Sequence, residues 1–110
     1  MSDRDLVIVG GGPAGLATAI RGRMVGLSVA VLDGSQPPID RPCGEGVMPE
    51  GVAQLDAMAV QVTDEQQRTF RGIRYLDGDA VADGLFDGRP GVGIRRAVLH
   101  RALAERAMAL

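Results

Sequence analysis

The sequence is poor in the residues that build several common kinds of site. Its 110 residues include no lysine, no tryptophan, one cysteine and three aromatic side chains, and the net charge is −2. So few aromatic rings, without a basic excess, argue against a nucleic-acid platform. Because Cys43 stands alone, an internal disulfide is impossible and we expect a reducing, cytoplasmic location. No apolar run approaches the roughly 20 residues of a membrane span.

Glycine is the abundant residue, with 16 copies that cluster where loops are expected. The first cluster lies between a short apolar run and an amphipathic segment. The run Leu6–Val9 predicts a strand buried on both faces, as in a parallel sheet. A helix is expected from Pro13 to about Met24, because proline suits the first helical position and Leu16 and Ile20 share one face with Met24.

A second apolar strand over Leu27–Leu32 completes a β-α-β pattern that spans residues 5–33. The turn inside this pattern is Gly10-x-Gly12-x-x-Gly15. In a dinucleotide-binding fingerprint the first glycine permits a tight turn and the second lets the backbone approach a pyrophosphate. The third glycine allows close packing of the helix on the strand. The turn therefore predicts a phosphate-binding loop.

An acid, Asp33, ends the second strand at about the place where the fingerprint requires a partner for a ribose hydroxyl. A carboxylate there would repel a 2′-phosphate, which argues against NADP at this site. The glycines together with Asp33 predict a dinucleotide site, and an ordinary glycine-rich turn is the plain alternative. The pattern by itself leaves FAD and NAD both open.

The rest of the chain alternates between loops and short regular segments. The expected segments are a loop over 35–51, a helix from Pro49 to about Met58, an unassigned stretch over 61–68, a hairpin region over 69–95 and a helix over 96–110. The hairpin region is expected to hold strands at Thr69–Leu76, Ala80–Phe86 and Val92–Arg95, with a tight turn at Asp77-Gly78. A long loop inside a compact domain is usually functional or disordered.

Three segments, in this order and spacing, resemble one family of flavoproteins. Val7–Leu16 resembles the opening of the FAD-dependent group that contains para-hydroxybenzoate hydroxylase, flavin-dependent halogenases and geranylgeranyl reductases. Arg41–Pro49 resembles the loop that passes beside the flavin in the geranylgeranyl-reductase branch. Ile94–Leu103 resembles the family's Arg-x-x-Leu-x-x-x-Leu helix, with Arg96 in the matching place.

The resemblance implies FAD as the cofactor and assigns contacts to it. The glycine turn and Asp33 would hold the adenosine end, and Arg41 and Arg96 would contact the phosphates or the ribityl chain. The stretch from Cys43 to Val47 would lie along the flavin. The residues implied to bind FAD are Gly10, Gly12, Pro13, Ala14, Gly15, Asp33, Arg41, Cys43, Gly44, Glu45 and Arg96. No catalytic residue and no metal site is assigned.

The resemblance also implies an architecture. The fold class is α/β, a Rossmann-like FAD-binding β-α-β unit with a small β-hairpin excursion, truncated before the sheet is complete. Family members are several times longer than this chain, so we expect the N-terminal part of an FAD-binding domain. Two parallel strands leave faces and edges uncovered, so the remainder of the chain or a partner would be needed to complete the sheet.

The implied parent is an FAD-dependent oxidoreductase, either a monooxygenase or a reductase, with NAD(P)H as a transient reductant and an unidentified small-molecule substrate. Two other functions remain open. A non-enzymatic nucleotide-binding fragment or decayed flavoprotein remnant would bind the ADP half without chemistry, and the short chain favours it. An NAD-dependent dehydrogenase is disfavoured by the loop at 41–49 and by the absence of repeated strand–helix units.

Several single residues have both a functional and a plain interpretation. Cys43 is either a passive small residue or a redox-sensitive group beside the flavin, and Glu45 either positions a ligand or is a solvated loop acid. The only histidine, His100, is expected on the surface of its helix because no partner for metal or triad chemistry accompanies it. The acids between Asp77 and Asp87 are expected in turns, since the EF-hand pattern is missing.

Overall fold

A computed structural model describes residues 3–36, 41 and 43–110 of the chain. Pro37, Pro38 and Pro42, which belong to the predicted long loop, lie outside the described residues. The described elements form a mixed α/β structure with a parallel β-α-β unit at its start. The predicted fold class is therefore confirmed.

The first sheet has two parallel strands, β1 (Leu6–Val9) and β2 (Val29–Leu32), joined by helix α1 (Pro13–Met24). The bounds of β1 and α1 are those the sequence predicts. Strand β2 begins two residues later than expected, because the peptide N–H of Leu27 still donates to Gly22 in the turn that ends α1, at 2.9 Å. The four paired positions place both carboxyl ends at the same edge, next to the glycine turn.

Helix α1 lies so close to β1 that backbone meets backbone. A Cβ added to Gly15 would lie 1.9 Å from the carbonyl oxygen of Gly10 and 3.3 Å from a methyl group of Ile8. Two turns further on, a Cβ added to Gly22 would lie 3.1 Å from a methyl group of Val29 and 3.3 Å from one of Leu6. Small residues along one side of α1 therefore set the distance between helix and sheet.

Only one face of the parallel sheet is covered among the residues that the structure describes. Leu6 and Ile8 are half-buried and face α1, whereas the alternate side chains of Val7 and Val9 are 54% and 84% exposed. The expectation of burial on both faces is thus wrong for this part of the chain. Side chains alternate along a strand, so a helix on one side protects only every second residue.

A second sheet, with three antiparallel strands and a helix against it, is formed within residues 43–94. Strand β3 (Gly46–Val47) pairs with β7 (Gly91–Ile94), which also pairs with β4 (Gln67–Phe70). Helix α2 spans Pro49–Ala57 and contacts β7. Strand β3 lies inside the predicted loop, and its two residues are too few to leave a periodic signal in the sequence. A short helical turn at Asp64–Gln66 precedes β4 in the stretch left unassigned.

The excursion between β4 and β7 is a hairpin of β5 (Gly72–Asp77) and β6 (Ala80–Leu85). The turn signal is confirmed, with Gly78 at a φ of +58°. The single strand predicted over Thr69–Leu76 is wrong, because the chain leaves one sheet at Phe70 and starts another at Gly72. At this junction the rings of Phe70 and Phe86 pack edge to face, with centroids 5.5 Å apart.

Helix α3 (Arg96–Ala109) packs against α1, and the core lies between them and the end of α2. The buried members of this core are Leu16, Ile20, Met58, Val60, Ala102, Leu103 and Ala104. The expectation that His100 lies on the surface is wrong, since its exposed fraction is 0%. Within the described ranges, no helix combines the length and the apolar character that crossing a membrane requires.

We expect Gly15→Ala to destabilise the chain strongly, because its methyl group would collide with the Gly10 carbonyl. Overpacking of this kind costs about 1–3 kcal/mol in the free energy of unfolding, and sometimes more. Urea unfolding followed by circular dichroism measures the change. Gly34→Ala is the matched control, because no atom lies within 4 Å of its added Cβ, and it should shift stability by less than about 1 kcal/mol. Equal effects of the two substitutions would contradict the steric argument.

Candidate functional site

The glycine turn connects the end of β1 to the start of α1 in a conformation that favours glycine. Gly10 has a φ of +106°, and its N–H donates to the Leu32 carbonyl at 2.8 Å. Gly12 is the N-cap of α1, Pro13 follows it at the first helical position, and no described side chain caps the helix. The first turn also carries no acid. An uncapped helix N-terminus with free N–H groups and a positive dipole end favours an anion.

The side chain of Arg96, the first residue of α3, lies in front of this helix N-terminus. A Cβ on Gly12 would lie 3.7 Å from Arg96 Nη2, so the missing side chain leaves room between the turn and the guanidinium. Arg96 Nε is buried and has no hydrogen-bond partner among the described residues. A buried donor without an acceptor is rare in folded proteins, so the N–H of Arg96 Nε is available to an anionic ligand. The guanidinium and the helix N-terminus thus offer positive potential to one space.

Asp33, just after β2, closes the other side of the glycine turn. Its Oδ2 accepts the N–H of Gly11 at 2.7 Å, and its Oδ1 accepts the N–H of Ser35 at 2.8 Å. These two backbone hydrogen bonds lower the pKa of the Asp33 carboxyl, and the charge of Arg41 adds to the effect. Asp33 is therefore ionised at neutral pH, and each oxygen retains acceptor capacity for a further donor.

The flavin-side residues of the sequence prediction lie on the loop before β3. Cys43 is an exposed free thiol whose Sγ accepts the N–H of Glu45 at 3.3 Å. Glu45 adopts a φ of +59°, and its carbonyl accepts the N–H of Ile94 at 2.8 Å. Gly44 stands in open space between them. Because Ile94 is two residues before Arg96, this loop is tied to the strand that leads into α3.

His100 is a site-adjacent residue that sequence reasoning missed. Its Nε2 donates to the carbonyl of Gly11, which couples the middle of α3 to the glycine turn. The signal that could have found it is spacing, since residues four apart share one face of a helix and His100 follows Arg96 by four. The structure thus brings together the glycine turn, Asp33, Arg96 and His100. It places Cys43, Gly44 and Glu45 on a separate loop that adjoins the start of α3.

A parallel β-α-β unit with a glycine turn, an open helix N-terminus and an acid after β2 defines the Rossmann-like class of dinucleotide-binding folds. Residues 4–90 match the model of the pyridine nucleotide-disulphide oxidoreductase family. The chain belongs to that family.

One curated relative is a menaquinone reductase of Mycobacterium tuberculosis, which is 39% identical to this chain over 70 residues. The matched stretch is 64% of this chain and 17% of that protein. The chain therefore spans a small part of the length of its curated relatives.

Solved structures of flavoproteins share the fold over nearly the whole chain. A flavoprotein/dehydrogenase from Cytophaga hutchinsonii has a TM-score of 0.82 at 22% identity, and covers 98% of this chain and 28% of its own. A 2-methyl-3-hydroxypyridine-5-carboxylic acid oxygenase has a TM-score of 0.78 at 25% identity, and the match covers 94% of this chain and 29% of the oxygenase. A geranylgeranyl bacteriochlorophyll reductase-like protein from Thermoplasma acidophilum has a TM-score of 0.70 at 23% identity, with coverage of 96% and 28%.

The resemblance noted in the sequence is confirmed by these matches, which include an oxygenase and a reductase-like protein of the expected group. The family and these flavoprotein neighbours imply FAD as the cofactor, and the chain is an FAD-binding part of the flavin-dependent oxidoreductases. Three observations fit that cofactor: the space over Gly12, the buried unpaired Nε of Arg96, and the ionised carboxylate of Asp33.

We expect the Asp33 hydrogen bonds to stabilise the chain at neutral pH and to weaken in acid. Because the folded-state pKa of Asp33 lies below its usual value, its contribution is fully present above the unfolded pKa of about 3.9. The contribution disappears as the pH falls through the lower folded value. Urea unfolding of the original chain and of Asp33→Asn, compared across pH, measures it. The stability difference should stay constant from about pH 8 to 5 and shrink below about pH 4. A difference that grows toward acid pH would contradict the assignment.

Proposed function

We propose that the glycine turn, Asp33 and Arg96 bind the ADP half of FAD. In this arrangement the pyrophosphate lies at the N-terminus of α1, above Gly12 and beside Arg96. The adenosine ribose lies against Asp33, with its hydroxyl groups donating to the carboxylate. The observation that carries the proposal is the buried, unpartnered Arg96 Nε next to a glycine whose missing side chain leaves space.

The electrostatics of the turn support a doubly charged group there. The helix contributes free N–H groups and a positive dipole end, and the guanidinium contributes a full charge. Gly15 and Pro13 contribute to this site indirectly. Gly15 keeps the helix axis close to β1, and Pro13 starts the helix at a position where its missing N–H costs no hydrogen bond. Ala14, on the first helical turn, is exposed and leaves the approach to the backbone open.

The ribose assignment is supported by the unused acceptor capacity of Asp33. A carboxylate has about four lone-pair positions, and the N–H groups of Gly11 and Ser35 occupy one on each oxygen. The same two bonds fix the plane of the carboxylate, so a ribose hydroxyl would meet acceptors of defined direction. A 2′-phosphate would meet an ionised carboxylate and be repelled, so the site favours FAD over NADP.

The loop from Cys43 to Val47 is proposed to lie along the flavin, with Arg41 nearer the phosphates or the ribityl chain. The charge of Arg41 contributes to the lowered pKa of Asp33, which supports a position of Arg41 near that carboxylate. The hydrogen bond from Ile94 to the Glu45 carbonyl supports a fixed position of the loop beside the start of α3. Cys43 and Gly44, both exposed, leave that side of the loop free for a ring system.

For the whole protein we propose a reductase that takes electrons from NAD(P)H and delivers them to an apolar, quinone-type substrate. The identity of 39% to a menaquinone reductase supports this reaction over oxygenation. Bound FAD would supply the hydride chemistry, while the protein supplies position and electrostatics. The exposed face that carries Val7 and Val9 supports a completed sheet formed with further chain or a partner. The single free cysteine supports a cytoplasmic location.

We expect Arg96→Gln to weaken FAD binding, because charge-assisted hydrogen bonds to the pyrophosphate would be lost. Such bonds contribute about 1.5–3 kcal/mol, which corresponds to about 10- to 150-fold in Kd. Quenching of flavin fluorescence measures the affinity. Arg101→Gln is the matched control on the same helix, since Arg101 is exposed and lies away from the glycine turn. Riboflavin, which has no phosphate, should bind equally to both variants. An unchanged Kd of Arg96→Gln for FAD would contradict the pyrophosphate assignment.

The reaction class is tested on the purified full-length protein that contains this chain, with FAD bound, NAD(P)H and a menaquinone. We expect NAD(P)H oxidation to proceed under anaerobic conditions. When the reaction is run under labelled dioxygen instead, the product should contain no labelled oxygen. A monooxygenase would need dioxygen and would incorporate the label. FAD binding without NAD(P)H oxidation under either condition would favour the nucleotide-binding remnant.

A further inference from the structure

His100 is the polar exception in the interior between α1 and α3. Among the described residues, it and Ile20 are the two largest side chains that are fully buried. An imidazole carries polar nitrogens, so burying it is costly unless those nitrogens are hydrogen-bonded. A leucine at this position would satisfy an apolar helix contact without that cost. The burial of the imidazole therefore needs an explanation in terms of the hydrogen bond that it makes.

The bond from His100 fixes one of the two peptide groups that flank the α-carbon of Gly11. His100 Nε2 donates to the Gly11 carbonyl, in the peptide that leads to Gly12. The peptide on the other side of Gly11 donates its N–H to Asp33 Oδ2 at 2.7 Å. Both peptide planes around Gly11 are thus held by side chains, one from α3 and one from the end of β2. Gly11 itself is buried, and a Cβ on it would lie 3.3 Å from Asp33 Cβ.

The Asp33 carboxylate is held at both of its oxygens, and one of the two donors is the N–H of Gly11. Oδ1 is held by the N–H of Ser35 in its own turn, and Oδ2 is held by the N–H of Gly11. If the backbone at Gly11 rotates, its N–H moves, and Asp33 Oδ2 either follows that N–H or loses its donor. The plane of the carboxylate then turns about the Cβ–Cγ bond. Gly11 has no side chain to resist such a rotation, since glycine is conformationally permissive. An external hydrogen bond is then the means of holding it.

We propose that His100 is a positioning residue for adenosine recognition: through Gly11 it orients the Asp33 carboxylate toward the ribose hydroxyls. The inference rests on the proposed adenosine site and adds a residue from α3 to it. His100 does not touch the cofactor in this arrangement. It makes the selectivity of Asp33 for a ribose depend on the packing of α3 against α1.

The test is selectivity between ADP and 2′,3′-dideoxy-ADP, which lacks both ribose hydroxyls. Calorimetry on the full chain measures both dissociation constants. The original chain should prefer ADP by about tenfold or more, the worth of a hydrogen bond to a charged group. Asp33→Asn should lose most of this preference. A chain that binds both nucleotides equally would overturn the ribose assignment itself.

His100→Leu should reduce the ADP preference toward that of Asp33→Asn, while affinity for dideoxy-ADP changes little. His100→Gln should retain the preference, because its amide nitrogen reaches about as far as Nε2 and can donate to the Gly11 carbonyl. His100→Asn is the shorter amide and should behave like leucine. Arg101, the exposed residue next to His100, provides the control. Arg101→Leu should leave the dissociation constants of both nucleotides unchanged.

A purely structural role for His100 predicts a different result. Loss of packing would weaken the binding of both nucleotides by the same factor and leave the ratio of their dissociation constants unchanged. Suppose that the original chain prefers ADP and that a folded His100→Leu or His100→Asn chain keeps the same preference. This result would overturn the proposal and leave the ribose assignment standing. Should the leucine and asparagine variants fail to fold, loss of selectivity in a folded His100→Gln chain would equally overturn it. In the double variant His100→Leu with Asp33→Asn, the effects on the ratio should not add, because both act through one carboxylate.

Discussion

The close approach of α1 to β1 is the constraint on which the rest of the site depends. A methyl group at Gly15 would have no room beside the Gly10 carbonyl, so helix and strand meet through backbone atoms. This contact brings the first N–H groups of α1 to the carboxyl end of the parallel strands. The Gly10 turn, with its positive φ, is short enough to keep that arrangement. A longer or bulkier connection would move the helix N-terminus away from Asp33.

The second requirement is a helix from far along the chain. Helix α3 begins at Arg96 and packs on α1, and its first residue and His100 face the turn that α1 starts from. The antiparallel sheet of β3, β4 and β7 delivers the chain to that starting point, since β7 ends at Ile94. This antiparallel sheet is thus part of how the site is built. It sets where α3 enters, and it anchors the Cys43–Val47 loop through β7.

Charge at the site is divided between its two ends. The phosphate end combines a helix dipole with the guanidinium of Arg96, and the ribose end carries the ionised Asp33. Backbone N–H groups hold that carboxylate, and among the described residues no cation is bonded directly to it. This leaves Arg96 available for phosphate. A dinucleotide has the matching distribution, with anionic phosphates beside neutral hydroxyl donors.

The sequence by itself determined the β-α-β unit, because glycine at the turn, proline at the helix start and apolar runs on either side are local signals with local causes. It also predicted α2, α3 and the hairpin turn at Gly78 closely, for the same reason. Tertiary structure decided the features that need distant partners. The break of the strand at Arg71 follows from membership of two sheets, and the exposure of Val9 follows from a helix on one face alone. The burial of His100 follows from the Gly11 carbonyl, which only the packing of α3 on α1 brings within reach, since 89 residues separate the two.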